Sequence, residues 1–241
     1  MPKMTGARFL AETLHGYGVT HFFFMPVIIP EAMPELERLG ITRIMTHGEK
    51  AAAYMADAYG RVKHGIGVCG AQSVGAVNLA AGLQDAYLAC SPVIALTGRL
   101  PQIQQYRNAY QEVDHTGPFS AVTKYSVSVT DVEQLPLFLR QAIREATSST
   151  PRPAHLDLAG IAASDVMNGV SDLEVVVEAP FTQVPPFRPE PDSETIQAVI
   201  HLLLEAERPV VVAGGGVTVS GAGRELVELS EVLNLPVITA L

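Results

Sequence analysis

The sequence has no tryptophan and only two cysteines, Cys69 and Cys90. Two thiols cannot build the disulfide framework of a small secreted domain, and without a neighbouring histidine they are a poor metal pair. Both lie in apolar surroundings, which suits buried thiols in a reducing cytoplasm. No run of 18 uncharged apolar residues occurs, and the opening Met1-Pro2-Lys3-Met4-Thr5-Gly6 lacks the apolar core of a secretory signal. The expectation is therefore a cytoplasmic chain with no membrane partner. Basic residues are also in short supply: 16 Lys+Arg against 25 Asp+Glu give a net charge of −9. An acidic chain with no Lys/Arg cluster lacks the electrostatic footprint of a nucleic-acid binder. The histidines show no metal-ligand spacing, and neither a GxSxG elbow nor a P-loop is present.

What is present is apolar and periodic. Hydrophobic residues make up 48% of the 241, enough for a real core and too many for a disordered chain. Thr5 is placed to cap a helix with Phe9, Leu10, Leu14 and Tyr17 on its apolar face, stopped at Gly16 and Gly18. Short apolar strands follow at 19–24, 41–46, 66–71, 92–98 and 155–158. Helical stretches lie between them at 49–62 and 76–89, and Asp131 is a plausible cap for another carrying Leu135, Leu139, Ile143 and Ala146. Alternation of this kind implies βαβ units and a mostly parallel sheet with helices on both faces, an α/β fold. Ligands of such sheets bind beyond the carboxyl ends of the strands, so the loops after Phe24, Thr46, Ala71 and Gly98 are the ones to watch.

Five prolines between Pro180 and Pro191 mark a semi-rigid linker. The predicted organisation is one domain at 1–178, a linker at 179–192 and an incomplete second α/β domain at 193–241. The last part reads as a single βαβ unit. It ends in the strand-like Leu235-Pro236-Val237-Ile238-Thr239, for which the reading finds no partner. The chain is thus expected to be a truncated or proteolysed piece, or a split subunit. Gly214-Gly215-Gly216 fails the dinucleotide pattern, because Val219 stands where its third glycine belongs.

Three stretches carry possible chemistry. In Thr46-His47-Gly48-Glu49-Lys50-Ala51-Ala52, Glu49 falls at a strand-to-helix junction. A carboxylate there gains ~0.3–1 kcal/mol from the helix N-terminus whatever its role. Its functional alternative is a buried acid that exchanges a proton with a ligand nitrogen. Gly70-Ala71-Gln72-Ser73-Val74-Gly75-Ala76-Val77-Asn78 reads as strand, turn (72–75) and helix, small enough for close packing or for a ligand to approach the backbone. Asn108-Ala109-Tyr110-Gln111-Glu112-Val113-Asp114-His115 is a polar stretch of a long loop, either solvated or functional.

Taken in order, these stretches resemble the N-terminal part of the thiamine-diphosphate enzymes of the acetolactate synthase and pyruvate oxidase group. The resemblance runs through His47-Gly48-Glu49-Lys50-Ala51-Ala52, Gly67 to Asn78 with Gly82-Leu83-Gln84-Asp85-Ala86, Pro92 to Gly98 and Ala109-Tyr110-Gln111-Glu112. It continues through Thr123-Lys124, Pro151 to Asp157, and Arg208 to Gly216. It implies a pyrimidine-binding domain followed by the start of a central domain. Glu49 would hydrogen-bond the cofactor's pyrimidine N1′ and promote its 4′-imino form, which removes the thiazolium C2 proton. Gln111 would line the substrate side. Pro26, Val27, Gln72, Ser73, Val74 and Asn78 would face the cofactor or substrate. The family's G-x-P-G after the first strand is here Phe24-Met25-Pro26-Val27. Its S-G-P-G turn is shortened to Ser73-Val74-Gly75, and Gly48 is inserted before Glu49.

The resemblance further implies thiamine diphosphate as cofactor, with Mg²⁺ and the diphosphate held by a separate C-terminal domain. No G-D-G motif of that domain occurs in this sequence. It leaves FAD open for the central domain. It implies a homo-dimer or tetramer, and decarboxylation of a 2-oxo acid with transfer of the carbanion equivalent. Two alternatives stand beside that activity: a lyase of the same cofactor class acting on 2-hydroxyacyl-CoA or oxalyl-CoA, and a non-catalytic binding or assembly module. By itself the chain would lack half the site and be inactive.

Overall fold

The structure is a computed structural model that describes residues 3–240. Met1, Pro2 and Leu241, which belong to the opening and closing stretches read above, lie outside the described residues. The chain divides into two compact units, Met1–Pro186 and Phe187–Leu241. The division falls inside the proline-rich stretch.

The first unit runs β1 (Lys3–Thr5), α1 (Gly6–Gly16), β2 (His21–Phe24), α2 (Met33–Arg38), β3 (Thr42–Met45), α3 (Glu49–Lys63), β4 (Gly67–Gln72) and α4 (Ser73–Leu88). It continues with β5 (Val93–Gly98), α5 (Thr116–Ser120), β6 (Tyr125–Val129), α6 (Leu135–Thr147), β7 (Ala154–Leu158), α7 (Ser164–Asn168) and β8 (Val170–Asp172). Six strands form one parallel sheet in the order β3-β2-β4-β5-β7-β6. The α/β sheet read from the sequence is therefore present.

Successive strand residues serve opposite faces of this sheet. Phe22, Val68, Ile94, Leu96 and Leu156 join Leu10, Leu14, Leu139 and Ile143 in one core, under α1 and α6. Phe23, Cys69, Ala71, Val93 and Ala95 join Ala52, Ala56, Ala76, Leu79 and Leu83 in the other, under α3 and α4. Alanines dominate the α3–α4 contact, and Gly82 makes it possible. A Cβ there would lie 2.7 Å from the Ala53 Cβ and 2.8 Å from the Lys50 carbonyl oxygen.

Thr5 caps α1 by accepting from the Arg8 amide at 3.2 Å. Asp131 accepts from the Glu133 amide in a capping box that opens a 3₁₀ turn leading into α6. Cys69 is buried, as read, whereas Cys90 is only partly buried and its Sγ lies 3.8 Å from the Leu88 carbonyl oxygen.

Several elements differ from the reading. The expected turn at 72–75 is not a turn: β4 runs to Gln72 and α4 begins at Ser73. Ser73 makes the change of direction with φ at 42°, a left-handed value unusual for a residue with a side chain. Strand β6 had no counterpart, although Tyr125, Val127 and Val129 alternate with serines as an edge strand should. The antiparallel ribbon of β1 with β8 was also missed, because three-residue strands carry no readable period.

The second unit holds α8 (Ser193–Glu205), β9 (Val211–Ala213), α9 (Gly215–Ser220), α10 (Gly223–Leu233) and β10 (Val237–Thr239). Asp192 caps α8 through the Thr195 amide at 2.8 Å. The last strand, expected to be unpaired, pairs in parallel with β9, Val237 opposite Val211. The triple glycine does not simply end a strand; its last two residues open α9.

Candidate functional site

Strand order reverses between β2 and β4: the chain moves from β2 outward to β3, then returns to β4 on the other side of β2. A crevice opens at such a switch point beyond the carboxyl ends of the strands. Met25-Pro26-Val27 leaves β2 on one side of it, and Gln72-Ser73-Val74 leaves β4 on the other. Thr46 fixes the β3–α3 junction nearby, its amide donating to the Phe24 carbonyl at 2.9 Å and its hydroxyl to that of Gly48 at 2.9 Å. Glu49 is then the first residue of α3.

The Glu49 carboxylate lies over the first turn of α4. The Asn78 side-chain amide donates to its Oε2 at 3.3 Å, a long bond, and no other hydrogen bond to this carboxylate is present among the described residues. Gly75 provides the seat: a Cβ at that position would come within 2.9 Å of the Glu49 carboxyl carbon. Val74 and Val77 are exposed on the same helix. The chain thus presents a half-buried acid, held on one side by an amide, beside small and apolar residues. Such a group can exchange a proton with a planar heteroaromatic nitrogen placed on its free side.

Of the residues singled out, Glu49, Gly75 and Asn78 are brought together. Ser73 is fully buried and starts the helix on which the carboxylate rests. Gln72 donates to the Ser73 hydroxyl at 2.8 Å, and its amide fills the space that Gly98 leaves open. Its Oε1 is buried with no hydrogen-bond partner among the described residues. Val27 is exposed, and no hydrogen bond connects Pro26, Val27 or Gln111 to Glu49 among the described residues. Gln111 sits at φ 63° in the loop after β5, where its amide donates to the Tyr110 hydroxyl at 3.2 Å. The next residue, Glu112, ties the loop down. Its carboxylate accepts from the Tyr106 and Ala109 amides, and those backbone donors hold it below the usual carboxylate range.

The sequence reading missed the most polar part of the interior. Thr97 on β5, Ser126 and Ser128 on β6, and His155 and Asp157 on β7 share one face of the sheet. The register places Ser126 opposite His155 and Thr97 opposite Asp157. The Thr97 hydroxyl lies 2.7 Å from His155 Nε2 and 2.8 Å from Asp157 Oδ1. His155 Nδ1 is 2.8 Å from the Ser126 hydroxyl, and Phe119 of α5 stacks on the ring at 3.6 Å. Burial pushes His155 down to about 3, against the attraction of Asp157, so its ring is neutral. His115 closes the network, with Nδ1 2.9 Å from Asp157 Oδ1 and Nε2 2.9 Å from the Ser73 carbonyl oxygen. Polar residues at every second position of β6 and β7 were the signal available.

Two cavities adjoin this network. One, lined by Arg99, Glu112, Asp114, His115 and Asp157, lies under the Gln111 loop. The other, at the β6 edge, includes Thr123, Lys124, Ser126 and Ser128. Neither is lined by Glu49. Lys124 is engaged structurally, its Nζ 2.9 Å from the carbonyl oxygens of both Glu145 and Ser148 at the end of α6. Among the described residues no group of three or more His, Cys, Asp or Glu is placed to hold a metal ion. No helix is long and apolar enough to cross a membrane.

Comparison with known proteins gives the family. A family described as "Thiamine pyrophosphate enzyme, N-terminal TPP binding domain" matches residues 4–117. One described as "Thiamine pyrophosphate enzyme, central domain" matches residues 196–241. The chain is 36% identical to a probable acetolactate synthase large subunit of Methanocaldococcus jannaschii, over 99% of this chain and 40% of that protein. It is 34% identical to an acetolactate synthase of Arthrospira platensis and 31% identical to an acetolactate synthase large subunit of Corynebacterium glutamicum. These matches span 99% of this chain and 42% and 38% of the relatives. The chain therefore spans about two fifths of the length of the relatives it matches.

Proposed function

We propose, from the premise that the chain belongs to the thiamine pyrophosphate enzymes, that its first unit seats the cofactor's aminopyrimidine against Glu49 in an acetolactate synthase-like enzyme. The observation that carries this is the seat itself. Gly75 leaves open the space that any side chain would take from the Glu49 carboxylate, and Asn78 holds Oε2 while Oε1 lies over Gly75. In this reading a flat ring lies against this acid beside the start of α4, and the acid supplies or takes a proton at the ring nitrogen. When bound, thiamine diphosphate supplies the carbon nucleophile and the electron sink needed to decarboxylate a 2-oxo acid and transfer the remaining fragment. What this chain contributes is orientation, exclusion of water on the α3–α4 side, and the proton at Glu49.

The Gln72–Val74 segment and the Pro26–Val27 loop flank the same switch point and form the walls of the crevice in this reading. Gln111 lies on a loop braced by Glu112 and forms the substrate side. Magnesium and the diphosphate are assigned in this reading to protein outside this chain, as the family resemblance implies. The working enzyme is proposed to be a homo-oligomer whose partner subunit closes the half-open Glu49 site.

Titrating the ¹⁵N-labelled 241-residue chain with thiamine, which lacks the diphosphate, tests this reading. Shifts centred on the amides of Glu49, Gly75 and Asn78 are expected, with thiamine diphosphate and Mg²⁺ binding no tighter than thiamine. Shifts confined to other parts of the sheet would overturn the assignment. Tight, Mg²⁺-dependent binding would overturn the claim that the diphosphate is held elsewhere.

A further inference from the structure

The hydrogen-bond network under the Gln111 loop has a proton inventory that can be counted. The Ser73 carbonyl accepts only, so His115 Nε2 carries a hydrogen. Thr97 has one hydroxyl hydrogen. If it goes to Asp157 Oδ1, the neutral His155 donates from Nε2 to the Thr97 oxygen and accepts from Ser126 at Nδ1, which satisfies both of its ring nitrogens. The contact that remains is His115 Nδ1 against Asp157 Oδ1 at 2.9 Å. A neutral ring would set a lone pair against a carboxylate there. Thr97, 3.4 Å from Nδ1, has no second hydrogen to mediate. The charged groups that line the cavity beside the pair are Arg99, 3.6 Å from Asp157 Oδ2, Asp114, whose own carboxylate accepts from the Thr116 amide, and Glu112, held by the Tyr106 and Ala109 amides.

We propose that His115 and Asp157 hold one shared proton, and that His115 so held is a positioning residue that pins Ser73 and thereby the helix start on which Glu49 rests. The imidazole is the link among three parts of the site. It ends the loop that carries Gln111, it stands on Asp157 of β7, and it reaches the carbonyl of the left-handed Ser73, two residues before Gly75. The importance of this link for the cofactor rests on the function proposed above; the shared proton does not.

The ¹⁵N-labelled 241-residue chain at neutral pH tests the inventory. His115 is expected to show hydrogen on both ring nitrogens with Asp157 ionised, or on Nε2 alone with Asp157 protonated. In Asp157→Asn, an amide can donate to Nδ1, so His115 is expected to keep only the Nε2 hydrogen. A single ring hydrogen together with an ionised Asp157 in the unsubstituted chain would overturn the shared proton. Positioning is tested by two variants of similar size. His115→Gln extends an amide to the Nε2 position and is expected to retain slow exchange of the Ala76 to Asn78 amides, the first of α4 with acceptors inside the helix. His115→Asn stops short of Ser73 and is expected to speed that exchange roughly tenfold or more, the loss implied by removing a hydrogen bond to a charged group. Equal exchange in the two variants would overturn the pin. In the complete enzyme, His115→Asn is expected to slow cofactor C2-proton exchange by about tenfold, with His115→Gln near normal. Normal exchange in His115→Asn with loss in Glu49→Gln would refute the positioning role alone. Normal exchange in Glu49→Gln would refute the functional reading and leave the proton inventory standing.

Discussion

His155 makes the first unit acid-labile in a way that can be measured. Its ring is buried among Thr97, Ser126 and Phe119, and burial lowers it from 6.5 to about 3. In the unfolded chain the ring takes up a proton near the ordinary value. Between these two limits the unfolded state therefore binds one more proton than the folded state, and stability falls as pH falls. Above the ordinary value the residue contributes no pH dependence. The slope is ~1.4 kcal/mol per pH unit, and over the whole window the loss approaches roughly 5 kcal/mol, a large share of a domain's stability. His155→Gln keeps an amide near Nε2 and cannot titrate. Losing the Ser126 bond costs about 1 kcal/mol, but equally at every pH. All 7 tyrosines precede Phe187, so tyrosine fluorescence during urea unfolding reports the first unit only. Urea midpoints collected from neutral pH downward should diverge, the unsubstituted chain losing ~1.4 kcal/mol per unit more than the variant. Parallel curves would show that His155 is not held neutral and would refute the burial argument.

Other perturbations follow from the packing. Gly82→Ala would gain ~1 kcal/mol of helix propensity in isolation, yet its Cβ meets Ala53 and the Lys50 backbone; an overpacking cost of ~1–3 kcal/mol wins, and a raised melting temperature would contradict the close α3–α4 contact. Phe22→Ala removes a fully buried ring between β2 and α1 and should cost ~3–5 kcal/mol by urea unfolding. Gly75→Ala meets the movable end of the Glu49 side chain, so stability should change little while the thiamine-induced shifts at Asn78 disappear. A large drop in melting temperature with the shifts retained would sink that distinction.

The sheet was legible because its central strands are continuous apolar runs between helices of plain period, and because Thr5 and Asp131 carry side chains that cap. The place of Glu49 at a strand-to-helix junction was legible from the strand and helix patterns on either side of it. The start of α4 was not. A serine with φ at 42° is held by tertiary contacts, among them the His115 bond to its carbonyl, and local sequence points to a turn. The edge strand β6 and the polar layer could have been found from the alternation of Ser126 and Ser128 with Val127, read against His155 and Asp157. The pairing of those strands, which makes the alternation meaningful, is a long-range fact. Lys124 and Arg152 lie in stretches that carry the family resemblance, and both have structural partners: Lys124 closes the end of α6 and the Arg152 guanidinium sits 4.1 Å over the Tyr87 ring.

The central claim is that Glu49 gives this chain its part in the chemistry. Exchange of the cofactor's C2 proton in the complete enzyme measures it most directly, free of any assumption about the substrate. With Glu49→Gln the exchange should slow by ~10²–10⁴-fold, the range expected for loss of a positioned acid, while the fold, judged by tyrosine fluorescence, is retained. Exchange at the unsubstituted rate in a folded Glu49→Gln enzyme would contradict the account.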